Sequence, residues 1–368
     1  MGGTENGVLK IIRGLGDDDF EHRICAVREI DDSFVRRMNF AGEVCSAASS
    51  KPGFQFPLFR LISRMKAFRP HVVHARNFGS LEAVAAARLA RVPGVVHSEH
   101  GYELETLSGL PFRRRILCRT LFPLADAVFT VTADLRNYHS KQSWLAARNF
   151  RVIYNGVDTE KFSPRSGTGL RMRKQLGIPE ASVVIGSVGR LVPIKDYSTL
   201  LDAAEILLRQ RRDVHVLLVG DGPERTGLQD RVARSAILTG RVKFAGASDN
   251  VPDLLNALDV FVLPSISEGM SNTILEAMAS GLAMVVTRAG GNSELVEDGR
   301  SGLLFAPRDL LTLAQLLLGL FEDSGKRLSL GAAARARAVE HFGLASMIRQ
   351  YRDLYLELAA FRGVREGG

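Results

Sequence analysis

Short apolar runs alternate with longer amphipathic segments through most of the chain, and this alternation restricts the fold more than any other sequence feature. In the first half we predict strands at 22–28, 71–75, 93–98 and 127–131 and helices at 56–68, 81–89 and 111–121. After Pro164 the pattern restarts, with strands at 183–188, 215–219, 242–245, 260–263 and 284–287 and helices at 200–208, 225–236 and 272–279. Strand–helix alternation requires crossover connections, which place helices on both faces of a parallel sheet. The sequence therefore predicts an α/β fold with two doubly wound, Rossmann-like domains.

The length of the chain, 368 residues, fits two domains of roughly 150–200 residues each. Asn155 and Gly156 form a turn signal, and segment 163–168 is rich in Pro, Gly and Ser. We predict an N-terminal domain at 1–155, a linker at 156–181, a C-terminal domain at 182–342 and a last helical segment at 343–368. No strand follows the helical patterns after residue 310, and the last helix is predicted to return to the N-terminal domain.

The beginning of the chain departs from the usual doubly wound pattern. Such domains open with a strand that leads into a Gly-rich turn and then a helix. Here a Gly-rich turn is predicted at residues 1–7, and a helix follows at 8–15. The first N-terminal strand is missing before Gly2, so we expect either a start further upstream or a domain built without that strand.

Composition narrows the class of protein. The chain contains no run of about 18 or more apolar residues, which a membrane span requires, and no basic-then-apolar signal pattern. Its three cysteines show no CxxC spacing, which indicates reduced thiols and a cytoplasmic location. Six of the eight net positive charges lie in residues 1–150, which makes an anionic partner a candidate. No nucleic-acid partner is predicted, because the basic residues lack interleaved aromatics.

The loop 264–272 carries the strongest chemical signal. It follows the predicted strand 260–263, and ligands in open parallel sheets bind beyond the carboxyl ends of strands. Gly269 allows a close backbone approach, and Ser271 is predicted to cap the following helix, whose N-terminal N–H groups favour a phosphate. Glu276 lies about one turn into this helix, where a carboxylate can accept both hydroxyls of a ribose. Glu268 stands eight residues before it.

A second group follows the strand 183–188. Gly189 and Arg190 come directly after this strand, and Lys195 stands five residues beyond Arg190. A guanidinium and an ammonium group at a strand end can together neutralise a diphosphate. We therefore predict that these cations act with the 264–272 loop.

Three further groups of polar residues are candidates for a functional role. His100 follows the predicted strand 93–98 in a Ser-Glu-His-Gly sequence, and its loop position favours a functional role. Glu294, after Gly290 and Gly291, lies in another loop that follows a strand. The acidic run 17–19 has no strand to hold it and is predicted to be a solvated turn. No zinc spacing or GxxxxGK[ST] motif occurs, so no metal site is predicted.

Taken together, these motifs resemble those of the retaining family-4 glycosyltransferases of the GT-B fold. The resemblance extends over essentially the whole length of the chain and is carried by the segments 2–6, 98–101, 155–158, 189–195, 219–223 and 268–281. More narrowly, the chain is similar to the bacterial sugar transferases of exopolysaccharide and PEP-CTERM systems. The resemblance implies two Rossmann-like domains that face a cleft.

The resemblance also implies roles for the residues. Arg190 and Lys195 would hold the donor diphosphate, Glu276 the ribose, and Glu268 the donor sugar. The donor-binding residues are expected to be Gly189, Arg190, Lys195, Glu268, Gly269, Met270, Ser271, Asn272 and Glu276. The catalytic residues are expected to be Glu268, His100, Arg190 and Lys195, with His100 reaching the sugar from the opposite domain. Gly2, Gly3 and Glu5 would form a loop on the phosphate or acceptor side.

The implied reaction is transfer of a hexose, with retention, from a UDP- or GDP-sugar to a glycan or lipid-linked acceptor. It needs neither a metal nor a cofactor and would serve exopolysaccharide or cell-envelope glycan synthesis. The alternatives are a sugar-nucleotide epimerase or phosphorylase on the same fold, and a non-catalytic protein that binds sugar nucleotides. Segments 54–69 and 111–115 combine bulky apolar and cationic residues, so peripheral contact with the inner face of the cell membrane is a further expectation.

Overall fold

The structure is a computed structural model that describes residues 3–16, 18–28, 40, 42–48, 57–102, 111–211 and 213–363. Contacts within the chain divide it into two compact units. The first unit consists of Met1–Asn155 together with Ala345–Gly368, and the second consists of Gly156–Leu344. Among the described residues, no helix is both long and apolar enough to cross a membrane.

The first unit is built on short parallel strands. Its elements are α1 (Gly3–Leu15), β1 (Ile24–Ala26), β2 (Val44–Ser46), α2 (Pro57–Phe68), β3 (Val72–Arg76), α3 (Glu82–Leu89), β4 (Gly94–Glu99), α4 (Phe112–Leu121), β5 (Ala127–Thr130), α5 (Ala133–Gln142), β6 (Phe150–Val152) and, from the end of the chain, α14 (Leu344–Gly363). Strands β3, β4, β5 and β6 form one sheet in that order, and β1 pairs with β2 separately. Every residue of β4 is buried, so this strand carries the centre of the sheet.

The start of the chain differs from the prediction. Helix α1 begins at Gly3, so residues 3–7 are helical and the predicted turn at this place is wrong. The buried side chains of Leu9 and Ile11 anchor an amphipathic helix, which propagates toward the N-terminus because each added residue gains a backbone hydrogen bond. Gly2 lies outside the described residues.

Helix α14 packs within the first unit. Ile348 lies so close to Gly14 of α1 that a β-carbon at that glycine would stand 2.6 Å from its side chain. Arg151 and Glu357 form a two-point ion pair of 2.8 and 2.7 Å. The last helix is therefore tied to the first unit by both packing and charge.

The second unit contains a six-stranded parallel sheet. Its elements are α6 (Thr168–Gln175), β7 (Val183–Val188), α7 (Tyr197–Gln210), β8 (Val214–Val219), α8 (Arg225–Arg234), β9 (Val242–Gly246), α9 (Val251–Asn256), β10 (Val260–Leu263), α10 (Asn272–Ala279), β11 (Ala283–Thr287), α11 (Asn292–Leu295), β12 (Leu303–Phe305), α12 (Leu310–Glu322) and α13 (Ser324–His341). The strand order is β12–β11–β10–β7–β8–β9. The chain therefore turns from one half of the sheet to the other between β7 and β10, which is the switch point where open α/β sheets bind ligands.

Segment 156–181, predicted as a linker, lies within the second unit. The buried side chain of Arg173 fastens it there. Its Nε donates to the Ala257 carbonyl at 2.9 Å, and its Nη2 donates to Asp259 Oδ2 at 2.8 Å. Gly169 lies against the backbone of Asn256, where a β-carbon would overlap the carbonyl oxygen. A polar segment can be part of a compact unit when its charged group is paired in this way.

Candidate active site

Two loops of the second unit meet at the switch point of its sheet. One follows β7 and runs through Gly189 and Arg190 into a short 3₁₀ turn, Pro193–Lys195. The other follows β10 and ends at the start of α10. The Ile266 N–H donates to the Ile194 carbonyl at 2.8 Å. This backbone hydrogen bond holds the two loops together, although they are far apart in the sequence.

Lys195 and Glu268 form an ion pair at this junction. Lys195 Nζ lies 2.5 Å from Glu268 Oε1, and the two side chains are only 18% and 11% exposed. Solvent therefore screens this pair much less than a surface ion pair. The structure thus brings together two residues that the sequence analysis assigns to one site.

Arg190 differs from Lys195 in its exposure and in its pairing. Its side chain is exposed, and among the described residues no hydrogen bond or ion pair involves its guanidinium group. The loop that follows β7 therefore carries one unpaired cation, Arg190, and one paired cation, Lys195. A fork of N–H donors in this position can bind a phosphate oxygen pair.

Two glycines let the backbone of the site pack tightly. Gly220, which follows β8, has φ +139°, and a β-carbon there would overlap the Gly189 carbonyl oxygen. A β-carbon at Gly189 would lie 2.8 Å from Tyr197 Oη. Sequence reasoning missed Tyr197, which starts α7 and is fully buried. Burial, reinforced by the charge of Glu268, raises the pKa of this phenol, so it stays neutral under the site.

Helix α10 begins as predicted. Ser271 is its N-cap, and its Oγ accepts the Ile274 N–H at 3.4 Å. Gly269, Met270 and Ser271 are buried, whereas Glu276 is half-buried one turn further along the helix. Asn272 opens the helix and is also half-buried. The capped end directs the first N–H groups and the positive end of the helix dipole toward the loop.

A buried polar network supports the loop from behind. Thr287 Oγ1 donates to the Ser265 carbonyl at 2.6 Å, and Asn292 Nδ2 donates to the Thr287 carbonyl at 3.1 Å. The Gly291 N–H donates to the Glu268 carbonyl at 3.3 Å. The Gly290–Gly291 turn therefore lies beside the loop. Thr287 and Asn292 were not predicted, because their sequence context does not distinguish them.

His100 of the first unit follows β4 and lies in a chain of hydrogen bonds. Its Nε2 is 2.8 Å from Ser98 Oγ, which is 2.7 Å from His74 Nε2, and His74 Nδ1 is 2.7 Å from Tyr355 Oη. Arg76 Nη2 lies 3.3 Å from His100 Nδ1.

The donor-only guanidinium fixes the direction of this chain. Since Arg76 can only donate, His100 Nδ1 must accept, so a neutral His100 carries its proton on Nε2. Ser98 then accepts from His100 and donates to His74, which donates from Nδ1 to Tyr355. Burial and the charge of Arg76 hold the pKa values of His74 and His100 well below the usual range. Both imidazoles are therefore neutral, and both ring nitrogens of His100 are engaged within the first unit.

The residues expected on the acceptor side are only partly described. The backbone of Gly3 and Glu5 forms the first turn of α1. Gly7 of the same helix lies against Arg76, since a β-carbon there would stand 3.3 Å from Arg76 Nη2. The described part of α1 is thus close to the loop that carries His100.

Each of the two units matches a known protein family. Residues 1–161 match the family described as Glycosyltransferase Family 4, and residues 182–323 match the family described as Glycosyl transferases group 1. The chain is 31% identical, over 82% of its length and 78% of the relative's, to UDP-Gal:alpha-D-GlcNAc-diphosphoundecaprenol alpha-1,3-galactosyltransferase of Escherichia coli. It is 32% identical to the sulfoquinovosyl transferase of Arabidopsis thaliana, over 80% of this chain and 58% of that protein.

Solved structures show the same fold at lower identity. Anabaena HepE in complex with UDP superposes with a TM-score of 0.83 at 24% identity, covering 96% of this chain and 95% of HepE. Sucrose-phosphate synthase from Thermosynechococcus elongatus superposes with a TM-score of 0.80 at 21% identity, over 98% and 94% of the two chains.

Proposed function

The chain belongs to the family-4 glycosyltransferases, and from this membership we propose that it transfers a hexose, with retention, from a UDP-sugar to a glycan or lipid-linked acceptor. The predicted family and the predicted GT-B fold, with two Rossmann-like domains, are confirmed. Glycosyltransferase activity follows from the family. The donor base, the acceptor and the stereochemistry are parts of the proposal.

The Lys195–Glu268 pair, on the same loop as the exposed Arg190, is the observation that carries the donor site. As the bond between the sugar and the diphosphate breaks, negative charge develops on the departing phosphate oxygens. Lys195 has three N–H donors and uses one for Glu268, so the others can bind these oxygens together with the fork of Arg190. Cations already in place stabilise the transition state with little reorganisation.

The α10 side of the site would hold the rest of the donor. Glu268 and the backbone of Gly269, Met270 and Ser271 are proposed to bind the sugar, with Asn272 at the helix start. Glu276 is proposed to accept the ribose hydroxyls. The positive end of α10 favours the anionic part of the ligand, and Gly189 is proposed to bind the donor through its backbone.

His100 is the catalytic residue proposed for the first unit. Its Nδ1 lone pair faces Arg76 and its Nε2 proton faces Ser98, so it does not act as a general base in this arrangement. We propose that the neutral ring shapes the pocket around the sugar. Gly2, Gly3 and Glu5 are proposed for the acceptor side.

The names of the relatives support a class of donor and acceptor. The Escherichia coli relative is named for a UDP-galactose donor and a diphosphoundecaprenol-linked acceptor. We propose a UDP-hexose donor and a lipid-linked acceptor, in exopolysaccharide or cell-envelope glycan synthesis at the cytoplasmic side of the membrane. Neither a metal nor a cofactor is part of this proposal, because the two cations take the place of a bound ion at the diphosphate.

A donor screen tests the proposal. We expect UDP-sugars, rather than GDP- or ADP-sugars, to raise the melting temperature. With the active donor and a polyprenyl-diphosphate sugar, free UDP and a new α-glycosidic bond should form, identified by the anomeric proton coupling in NMR. A β-linked product would contradict retention. Conversion of the donor without any new glycosidic bond would support an epimerase or phosphorylase instead.

Helix α4 supports the proposed membrane contact. Its outer side exposes Phe112 at 73%, together with Ile116 and Leu117, and Arg113 is exposed beside them. Bulky apolar side chains with adjacent cations are typical of helices that lie in an anionic lipid surface. We propose that this side of α4 inserts at the inner face of the cell membrane.

Vesicle co-sedimentation measures this contact. The protein should bind vesicles that contain about 30% phosphatidylglycerol more strongly than neutral vesicles, because each cation adds roughly 1 kcal/mol at an anionic surface. The double variant Phe112→Ser/Ile116→Ser should lose about tenfold in binding, since two apolar groups no longer leave water. Leu328→Ser, which changes a side chain that is 75% exposed on α13, is the matched control. Equal binding by both variants would contradict the proposed surface.

A further inference from the structure

Arg76 is a cation without a counter-charge in the described part of the first unit. It ends β3, is half-buried, and its Nε is buried with no hydrogen-bond acceptor. Among the described residues, its polar partners are the His100 ring, 3.3 Å from Nη2, and the Tyr351 hydroxyl. Both partners are neutral, so neither supplies a negative charge.

Arg173 of the second unit is, by contrast, a buried guanidinium group with full pairing. Its three nitrogens donate to the carbonyls of Ala257 and Ser182 and to the Asp259 carboxylate, at 2.9, 3.1 and 2.8 Å. Such pairing offsets the loss of hydration. Arg76 lacks a carboxylate partner among the described residues, so within this part of the chain its charge is only partly compensated.

The surroundings of Arg76 are suited to a small anion. The group stands at the carboxyl end of β3, the edge where parallel sheets bind ligands. On its α1 side, the backbone of Gly7 packs closely against the group, since a β-carbon there would come within 3.3 Å of Nη2. His74 and His100 are held neutral, so Arg76 supplies the positive charge of this cluster.

We propose that Arg76 anchors a phosphate-binding site in the first unit and that the phosphate belongs to the acceptor. This inference rests on the proposed glycosyltransferase reaction and assigns the phosphate of its acceptor to Arg76. The guanidinium binds two phosphate oxygens through its fork. The diphosphate of the donor is held separately by Arg190 and Lys195.

The test uses the whole chain in a background that lacks the donor cations, Arg190→Ala/Lys195→Ala. Inorganic pyrophosphate is titrated against chloride of the same ionic strength, and the melting temperature is followed. A second arm presents farnesyl diphosphate in non-ionic detergent micelles, which separates a lipid-linked diphosphate from a free one. Tighter binding in this arm assigns the site to a lipid-linked acceptor, and equal binding assigns it to a soluble phosphate.

Adding Arg76→Gln to this background should weaken binding of either probe by about tenfold or more, because a charge-assisted hydrogen-bond pair is lost. Arg148→Gln, the same change at an exposed position, should leave binding unchanged. Without ligand, Arg76→Gln should melt no lower than its background, since it removes an incompletely paired charge and keeps a donor. Full binding by Arg76→Gln, or no protection by either probe in the background protein, would overturn the proposal.

UDP binding tests the donor site independently of the pyrophosphate result. In an otherwise unaltered chain, Arg76→Gln should leave the affinity for UDP unchanged. UDP binding that survives in Arg190→Ala/Lys195→Ala would contradict the donor site, whereas the pyrophosphate result depends on Arg76.

Discussion

Replacing Lys195 with alanine should lower kcat for sugar transfer by about 10²–10³-fold, the loss typical of removing one group that stabilises a developing anion. Lys195 stands 2.5 Å from Glu268 in a site that is largely closed to solvent, so water replaces its charge poorly. Glu268→Ala should abolish transfer, because the sugar loses its carboxylate partner and Lys195 its orientation. Steady-state kinetics with the active UDP-sugar measure both effects.

Each single variant leaves one charge unpaired, and this can lower the stability of the protein as well as its turnover. The double variant Lys195→Ala/Glu268→Ala separates the two effects. It should recover most of the melting temperature lost by the single variants and still transfer no sugar. Lys174→Ala, at an exposed position of α6, is the control. Near-normal turnover in both single variants would show that the proposed site is wrong.

Gly220→Ala should be among the most disruptive single changes in the second unit. The φ of +139° is unfavourable for any residue with a β-carbon, and the new atom would overlap the Gly189 carbonyl oxygen. A strained backbone conformation costs about 1–3 kcal/mol, and overpacking adds about 1–3 kcal/mol more. If the backbone relaxes, Gly189 moves with it, so UDP affinity should fall together with stability. Denaturant unfolding and UDP titration measure both quantities.

Gly227→Ala is the matched control for this prediction. Gly227 lies in α8, is exposed, and a β-carbon there would meet no atom within 4 Å. Alanine at this position should raise the unfolding free energy by about 0.5–1 kcal/mol, because it has the higher helix propensity. Equal stability of the two variants would contradict the close packing of Gly220 on Gly189.

The alternation of short apolar runs with amphipathic segments predicted most of the strands and helices of the second unit. Strands 183–188 and 260–263 match β7 and β10, since buried parallel strands leave continuous apolar runs that are easy to recognise. The strands β2, β6 and β12 were not predicted, because each has three residues and shows no measurable period. The family and the fold could be predicted since motifs with specific spacing lie at the strand ends.

The supporting contacts of the site could not be predicted in this way. Tyr197 beneath Gly189, and Asn292 behind the 264–268 loop, are recognised only when residues distant in sequence meet. The same holds for the chain from Tyr355 to His100, whose members come from β3, β4 and α14. Local patterns also predicted a turn at residues 3–7, where the apolar face of α1 extends the helix instead.

Isothermal titration of UDP into the intact protein and into Arg190→Ala/Lys195→Ala tests the central claim most directly. The claim is that the switch point of the second unit binds the donor diphosphate through these two cations. The intact protein should bind one UDP per chain, and the double variant should bind at least about 100-fold more weakly, because two charge-assisted contacts are removed. Equal affinity for UDP in the two proteins would contradict the claim.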